Sequence, residues 1–541
     1  MSASTLLATL LAAAFAAFAA SFPASDSDLF WHLQSGDWML DHGALLERDV
    51  FSFTRAGSPY SVGQWLGQIL LALAFRGLGW AGIDLLRAAL VGIAVLFLAR
   101  AVLRVQPHPG WAIAPILAAI LVTRPFWGDR PQLFTLALFP VFLDTLLASR
   151  GDGRARRLAV LPVLVALWAN LHGAFVLGLV LIAVFAIEAQ LAPGPFIPPE
   201  GPVIPPEGPV ILPEGPAGGV RALRRPLLLT LVASLGAGLL NPAFSGAYAS
   251  AGAYASGPAR FIVEERPPDL LTAFGLIFAA LFGAALALSL ARRDPLIPPE
   301  GPLIPPAGPS GGIKGRRPDL LWAGLIVPFT FLGLTVQRQL PYAAFVIAPY
   351  VALRSREIFG RLHVIPPEGP VIPPAGPSGG IKGPPPSPLV APRPAAAAIV
   401  AALALAAVAA AALVAPREPD LAAYPVGSER LLSADSGRVL NEYDWGGYLI
   451  RFAPGVPTFI DGRARAGVLF VPDVLADFDD AVSLRPRYRA ILERWDIRQV
   501  LLRPERPLAV ALRESRWTVR GEAAGRWVLL ERPLTPPEGP R

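Results

Sequence analysis

Residues 270–290 read LLTAFGLIFAALFGAALALSL, without a single charged side chain. Coiled as a helix at about 1.5 Å per residue, they match the roughly 30 Å hydrocarbon core of a bilayer. A soluble helix of this length needs a polar face, and this one has none. Similar apolar runs are read at 6–22, 81–103, 111–127, 131–148, 157–171, 174–191, 226–240, 319–336, 340–353 and 395–414. An amphipathic stretch at 65–78 precedes the second. The composition agrees: of 541 residues 53% are hydrophobic and 16% charged, against about 25% charged in a soluble domain. Mean hydropathy is +0.50. These values exclude a soluble enzyme, a classical nucleic-acid binder and a fibrous protein. They predict an α-helical polytopic membrane protein with about eleven transmembrane helices. The run at 6–22 has no Lys or Arg before it, so it reads as a retained span rather than a signal peptide.

Orientation follows from the basic residues between the runs. Alternate loops hold Arg100 and Arg104, then Arg150 to Arg157, Arg221 to Arg225, Arg292 to Arg317, and Arg354 to Arg393. The opposite loops hold fewer: Arg48, Arg55, Arg124, Arg130, Arg260, Arg266 and Arg338. The first set is therefore read as cytoplasmic, which puts the N-terminus inside and both 23–64 and the C-terminal part outside. The formal net charge of +7 is almost all Arg, with Lys only at Lys314 and Lys382. That bias points to a GC-rich genome, not to nucleic acid.

The reading divides the chain into a transmembrane domain at 1–415 and a smaller domain at 420–541. Proline-rich inserts at 193–216, 295–312 and 364–386 fall in cytoplasmic loops and repeat Ile-Pro-Pro-Glu-Gly-Pro. Such proline density forbids helix, and these inserts read as dispensable. Beyond 420 short apolar segments at 438–443, 447–452, 458–461, 499–502, 517–520 and 527–530 predict strands. Helical patterns at 473–495 and 506–514 lie between them, giving a small external α/β domain.

There is no Cys, which removes disulfides and thiolate chemistry. Neither HExxH nor a nucleotide-binding glycine loop occurs. The candidates are ionisable groups at the outer ends of spans. Asp26 and Asp28 follow the first run, and a helix over 28–40 brings Asp28 and His32 onto one face. Two carboxylates beside an imidazole suit proton abstraction or metal binding, while Ser25 and Asp26 equally suit helix capping. Asp49 lies further along the same loop. His172, in Asn170-Leu-His-Gly, falls between two short spans that would floor a cavity. Arg124, Arg130 and Arg338 recur on the less basic face, where their forks suit phosphate. With no nucleotide loop, a substrate activated elsewhere and confined to the membrane fits best: a lipid-linked phosphate.

The segment Asp28-Leu-Phe-Trp-His-Leu-Gln-Ser-Gly-Asp-Trp38 after a first span resembles bacterial polytopic proteins of the GT-C glycosyltransferase class. Their layout is that of protein O-mannosyltransferases, the aminoarabinose transferase and oligosaccharyltransferases. Further matches, to an uncharacterised bacterial branch, are Arg130-Pro-Gln-Leu-Phe, Trp168-Ala-Asn-Leu-His-Gly173, Asn241-Pro242, Arg338, Asn441-Glu-Tyr-Asp-Trp-Gly-Gly-Tyr448 and Ile460-Asp-Gly-Arg463. The resemblance covers nearly the whole chain apart from the inserts. It implies an inverting transfer of sugar from a polyprenyl-phosphate donor, on the external face of a bacterial inner membrane, to a glycan, lipid or protein acceptor. An acidic residue of the first external loop, Asp28 or Asp26 here, would act as base or bind a metal, with Asp49 as a further catalytic candidate. Arg130, Arg338 and Arg124 would bind donor phosphate, with His32, His172, Asn170 and Asn241 lining the site. Asp461 and Arg463 would face the acceptor, or else pair with each other inside the domain. The acids here are Asp-Ser-Asp rather than adjacent, which leaves the base between Asp28 and Asp26. A divalent metal, Mg or Mn, stays open. The alternatives are a non-enzymatic scaffold or lipid- and glycan-binding protein, and a transporter. A transporter would call for midplane charges and a repeat of its halves.

Overall fold

The computed structural model describes residues 3–60, 63–192, 216–249, 263–291, 320–359, 410–433, 435, 437–464, 469–470 and 472–533. The proline-rich inserts and the expected span at 395–414 lie outside these residues, but for Pro216 and 410–414. In chain order the first helices are α1 (Ala3–Ala20), α2 (Ser27–His42), α3 (Trp65–Val105), α4 (Pro109–Thr123), α5 (Gln132–Asp152) and α6 (Val160–Leu171). After them come α7 (Val176–Leu191), α8 (Pro216–Ala222), α9 (Arg224–Ala237), α10 (Ala273–Leu290), α11 (Leu320–Thr335) and α12 (Leu340–Phe359).

Among the described residues, five stretches are long and apolar enough to cross a bilayer: Trp65–Val105, Pro109–Phe126, Gln132–Asp152, Gly173–Leu191 and Ala273–Leu290. Ser4–Ala20 and Leu320–Thr335 are apolar but shorter. The sequence count of about eleven is therefore not matched helix for helix. Runs at 157–171 and 226–240 become α6 and α9, of 12 and 14 residues, shorter than the roughly 20 residues of a full straight crossing. The chain is a multi-pass membrane protein, with α5 buried along nearly its whole length and α10 largely facing outward.

Small residues set the helix packing. Ala8, Ala12 and Ala19 of α1 are buried, and a β-carbon on Gly92 of α3 would come 3.2 Å from that of Ala16. Close backbones of this kind are how apolar helices associate where no water drives them together. In α3 the amphipathic segment and the span form one 41-residue helix with a break at Gly79, at φ 62° and ψ −145°. Only glycine enters that region cheaply.

The C-terminal part carries a four-stranded sheet of β1 (Arg438–Asn441), β2 (Ile497–Leu502), β3 (Thr518–Ala523) and β4 (Trp527–Glu531). The spatial order is β1-β2-β4-β3, with β1 parallel to β2 and the other pairs antiparallel. Helices α13 (Gly446–Phe452), α14 (Asp473–Val482), α15 (Tyr488–Arg494) and α16 (Pro507–Arg513) complete it. The expected strand at 447–452 is thus the helix α13, since a short apolar run does not announce its period. The expected strand at 458–461 contributes only single bridges from Thr458 to Ser52 and Val439. The helical pattern at 473–495 divides into α14 and α15.

This domain sits directly on α2. A β-carbon on Gly447 would fall 2.6 Å from the carbonyl oxygen of Ser27, and one on Gly446 would fall 2.3 Å from that of Ile460. Phe30 of α2 meets the rings of Tyr424, Tyr448, Phe452 and Trp80 edge-on at 5.1–6.1 Å. The start of α2 is thereby held at the junction of the membrane helices and the domain.

Candidate active site

Asp26 caps α2: its carboxylate accepts the backbone N–H of Asp28 at 2.9 Å, as a carboxylate before a first turn should. Asp28 lies in the first turn of the helix. Its Oδ1 accepts from the indole N–H of Trp31 at 2.9 Å, and its Oδ2 lies 3.0 Å from Arg130. Arg130 comes from the turn between α4 and α5. Its Nε is 3.4 Å from Asp26, and its other amino group pairs with Glu264. Close by, Arg338 approaches Glu265 at 3.1 Å.

These groups face a cavity of about 790 Å³, within the range of small-molecule sites. Ser27, Asp28, Trp31, His32, Arg130, Gln132, His172, Glu264, Glu265 and Arg338 line one side. Tyr443, Asp444, Gly462, Leu475, Phe478, Asp479, Val482, Arg485 and Arg506 line the other. The cavity therefore lies between the membrane helices and the C-terminal domain.

Asp28 keeps 23% of its side chain accessible through this opening. Burial raises its carboxyl to about 7; Arg130 opposes the rise and Asp26 adds to it. Arg130 is held firmly protonated by Asp26, Glu264 and Asp28 despite the burial that works against its charge. Both histidines of the cavity are neutral. Burial, then Arg338 and Arg130, lowers His172 to about 3. Burial, then Arg130 and His172, holds His32 well below its usual range. The Thr135 hydroxyl accepts from the Trp168 indole at 2.8 Å and meets Nδ1 of His172 at 2.8 Å. The Ala174 N–H aims at the same nitrogen, leaving the imidazole proton on Nε2, where it is a donor.

The sequence-derived residues separate into two groups. Asp28, Arg130, Arg338, His32 and His172 come together on the cavity, and Asp26 stands behind them against Arg130. His32 does not hold Asp28: its Nδ1 meets Gln68 at 3.2 Å, and Trp31 supplies the orienting bond. The remaining candidates fall elsewhere. Arg124 lies over Phe22 at 4.0 Å and beside Trp127. Asn170 accepts from the Trp65 indole, and Asn241 donates to the Ala169 carbonyl, so both tie helix ends together. Asp49, Asp461 and Arg463 close on one another with no exposure at all. Arg463 bonds Asp461 through Nε at 2.8 Å and through an amino group at 2.7 Å, and its other amino group takes Asp49. Of the Asp461-Gly-Arg463 turn only Gly462 reaches the cavity, where a β-carbon would lie 2.0 Å from Asp28 Oδ1.

Sequence reasoning did not single out Glu264, Glu265 or Trp31. Glu264-Glu265-Arg266 ends at the mouth of a span, so the rule that found Asp26 and Asp28 would have found it. Asp26, Asp28 and Glu264 converge on the Arg130 guanidinium, and among the described residues no three His, Asp or Glu side chains are arranged around a common cation.

By sequence the chain matches no protein family pattern and no curated protein. Its fold is GT-C-like. The archaeal oligosaccharyltransferase AglB from Archaeoglobus fulgidus, in complex with an inhibitory peptide and a dolichol-phosphate, superposes over 93% of this chain and 69% of its own length. The TM-score is 0.54 at 13% identity. The apo form of the Archaeoglobus fulgidus oligosaccharyltransferase covers 93% of this chain and 70% of its own, with a TM-score of 0.48 at 14% identity.

Proposed function

We propose that this chain is a membrane glycosyltransferase that moves a sugar from a polyprenyl-phosphate donor to an acceptor, a glycan, lipid or protein, on the external face. The observation that carries the reading is Asp28, ionisable near neutral pH and bonded to Arg130, facing a cavity that also holds Arg338. A carboxylate within about 3 Å of an acceptor's hydroxyl or amide takes its proton as the acceptor attacks the anomeric carbon. The bond from that carbon to the phosphate oxygen breaks on the opposite side, so the configuration inverts. The polyprenyl phosphate leaves with the electron pair, and Arg338 and Arg130 stabilise its charge. Neutral His172 offers its Nε2 proton to a sugar or phosphate oxygen. The domain wall of Leu475, Phe478 and Val482 provides an apolar surface for the acceptor. The dolichol-phosphate and peptide bound to the archaeal neighbour support a lipid-phosphate donor and an acceptor in this fold. In this reading the membrane is a bacterial inner membrane, the N-terminus is inside, and 23–64 and 420–541 are outside.

A photoactivatable polyprenyl phosphate tests the reading directly. Cross-linked to the full chain in liposomes, it should label peptides around Arg130 and Arg338 and be competed by unlabelled polyprenyl phosphate. Labelling confined to the lipid-facing side of α10, or insensitive to competition, would overturn it.

A further inference from the structure

Arg87 lies on α3 beyond the Gly79 break, with 1% of its side chain accessible. A guanidinium in such a place keeps its charge only where partners replace water, and its partners come from separate segments. Its Nε donates to the Ala19 carbonyl at 2.9 Å, and one amino group donates to that of Phe22. These are carbonyls at the C-terminal end of α1, where helices leave acceptors unsatisfied. The same amino group bonds Asp84 at 2.7 Å on its own helix. The other bonds Asp129 at 2.6 Å.

The two segments reached from α3 deliver the two poles of the site. The chain leaving Phe22 runs directly to Asp26 and Asp28, and Asp129 immediately precedes Arg130. Where the segments meet, a β-carbon on Gly128 would fall 2.0 Å from Asp26 Oδ2, so backbone presses on carboxylate with no slack. Fastening α1 to α3 requires only the carbonyl bonds. The bond to Asp129 serves the turn that carries Arg130. Asp129 Oδ1 and Asp84 Oδ2 are buried without a hydrogen-bond partner among the described residues, so neither acid has a second cation to fall back on.

We propose that Arg87 is a positioning residue of the transfer site, fixing through Asp129 and the end of α1 the spacing at which Arg130 meets Asp28. The proposal rests on the Asp28-centred reading above, and its test needs neither donor nor acceptor. Dicyclohexylcarbodiimide modifies protonated carboxyl groups, and peptide mass spectrometry of the full-length protein reads its addition to Asp28 against pH. In the wild type, modification should fall as pH rises through about 7. In Arg87→Met and in Asp129→Ala, Arg130 withdraws while Asp26 and Glu264 stay, and the midpoint should rise by about one unit or more. Arg87→Lys keeps the charge and should shift the midpoint less. A purely structural role would lower the melting temperature and leave the midpoint in place. Should Arg87→Met fail to fold, Asp129→Ala decides, because it cuts only the link to the Arg130 turn. A folded Asp129→Ala protein with the wild-type midpoint overturns the proposal. Absence of sugar transfer from every donor would sink the proposed reaction without touching this result.

Discussion

Asp28 must be ionised to accept a proton, yet it sits where burial favours its neutral form. The compromise at about 7 has a direct consequence for rate. Below that pH the carboxyl holds its own proton and no base is present, so transfer should rise as pH passes through about 7 and level off above it. A flat profile down to pH 5 would remove Asp28 as the base. Asp28→Asn keeps the shape and the bond from Trp31, and losing the base should cost about 10²–10⁴-fold in rate. Binding of polyprenyl phosphate should survive, because one negative charge beside the phosphate is gone. Near-normal transfer would move the role to Asp26, and failure to fold would mean that Asp28 chiefly serves the helix. Asp28 and Arg130 were legible in the sequence because ionisable groups at a span's mouth are costly to keep there. The pairing of Asp49 with Arg463 was not, since the two lie 414 positions apart and a closed ion pair has the same letters as an open ligand site.

Elements decide which of those letters meet. The sequence put a helix over 28–40, where α2 lies, with Asp26 as a candidate cap, but it read 447–452 as a strand, because a six-residue apolar run satisfies either period. What distinguishes them is docking: Gly446 and Gly447 let α13 press against Ile460 and against Ser27 of α2, a tertiary fact with no local signature. The same close approach makes the Asp461-Gly-Arg463 turn a sensitive probe. Gly462→Ala would drive a methyl group into Asp28 Oδ1, at 2.0 Å, and towards the Trp31 indole, at 2.7 Å. Asp28 has to shift out of its bond with Trp31, and a displacement near 1 Å at a reacting group costs up to about 10²-fold in rate. Melting should change little. Arg463→Ala should do the reverse. It strands Asp49 and Asp461 in a fully buried place, and breaking a buried pair from one side costs about 3–5 kcal/mol. Denaturation of both variants separates the two effects, and a Gly462→Ala protein as unstable as Arg463→Ala would mean that the turn is structural throughout.

At the scale of the whole molecule, one arrangement has to satisfy both the bilayer and the cavity. The cavity lies where α2, the turn before α5, the segment at 264–266 and the C-terminal domain converge. All of these must then share one side of the membrane, the grouping that the basic-residue count expects for Arg130, Arg266 and Arg338. Arg150 and Arg157 lie at the opposite end of α5 from Arg130, and α5 has the 21 residues needed to separate the two ends across a bilayer. Arg150 pairs there with Glu188 at the end of α7, which places both helix ends on the side away from the cavity. Reporter fusions at Gly153, just beyond α5, and at Gly521, in β3, should therefore report opposite compartments, with Gly521 outside. The same compartment for both would break the topology and, with it, any route by which an external acceptor reaches Asp28. Opposite compartments with Gly521 inside would leave the cavity whole but turn it toward the cytoplasm, where soluble donors compete with lipid-linked ones and the case for a polyprenyl phosphate loses its main support.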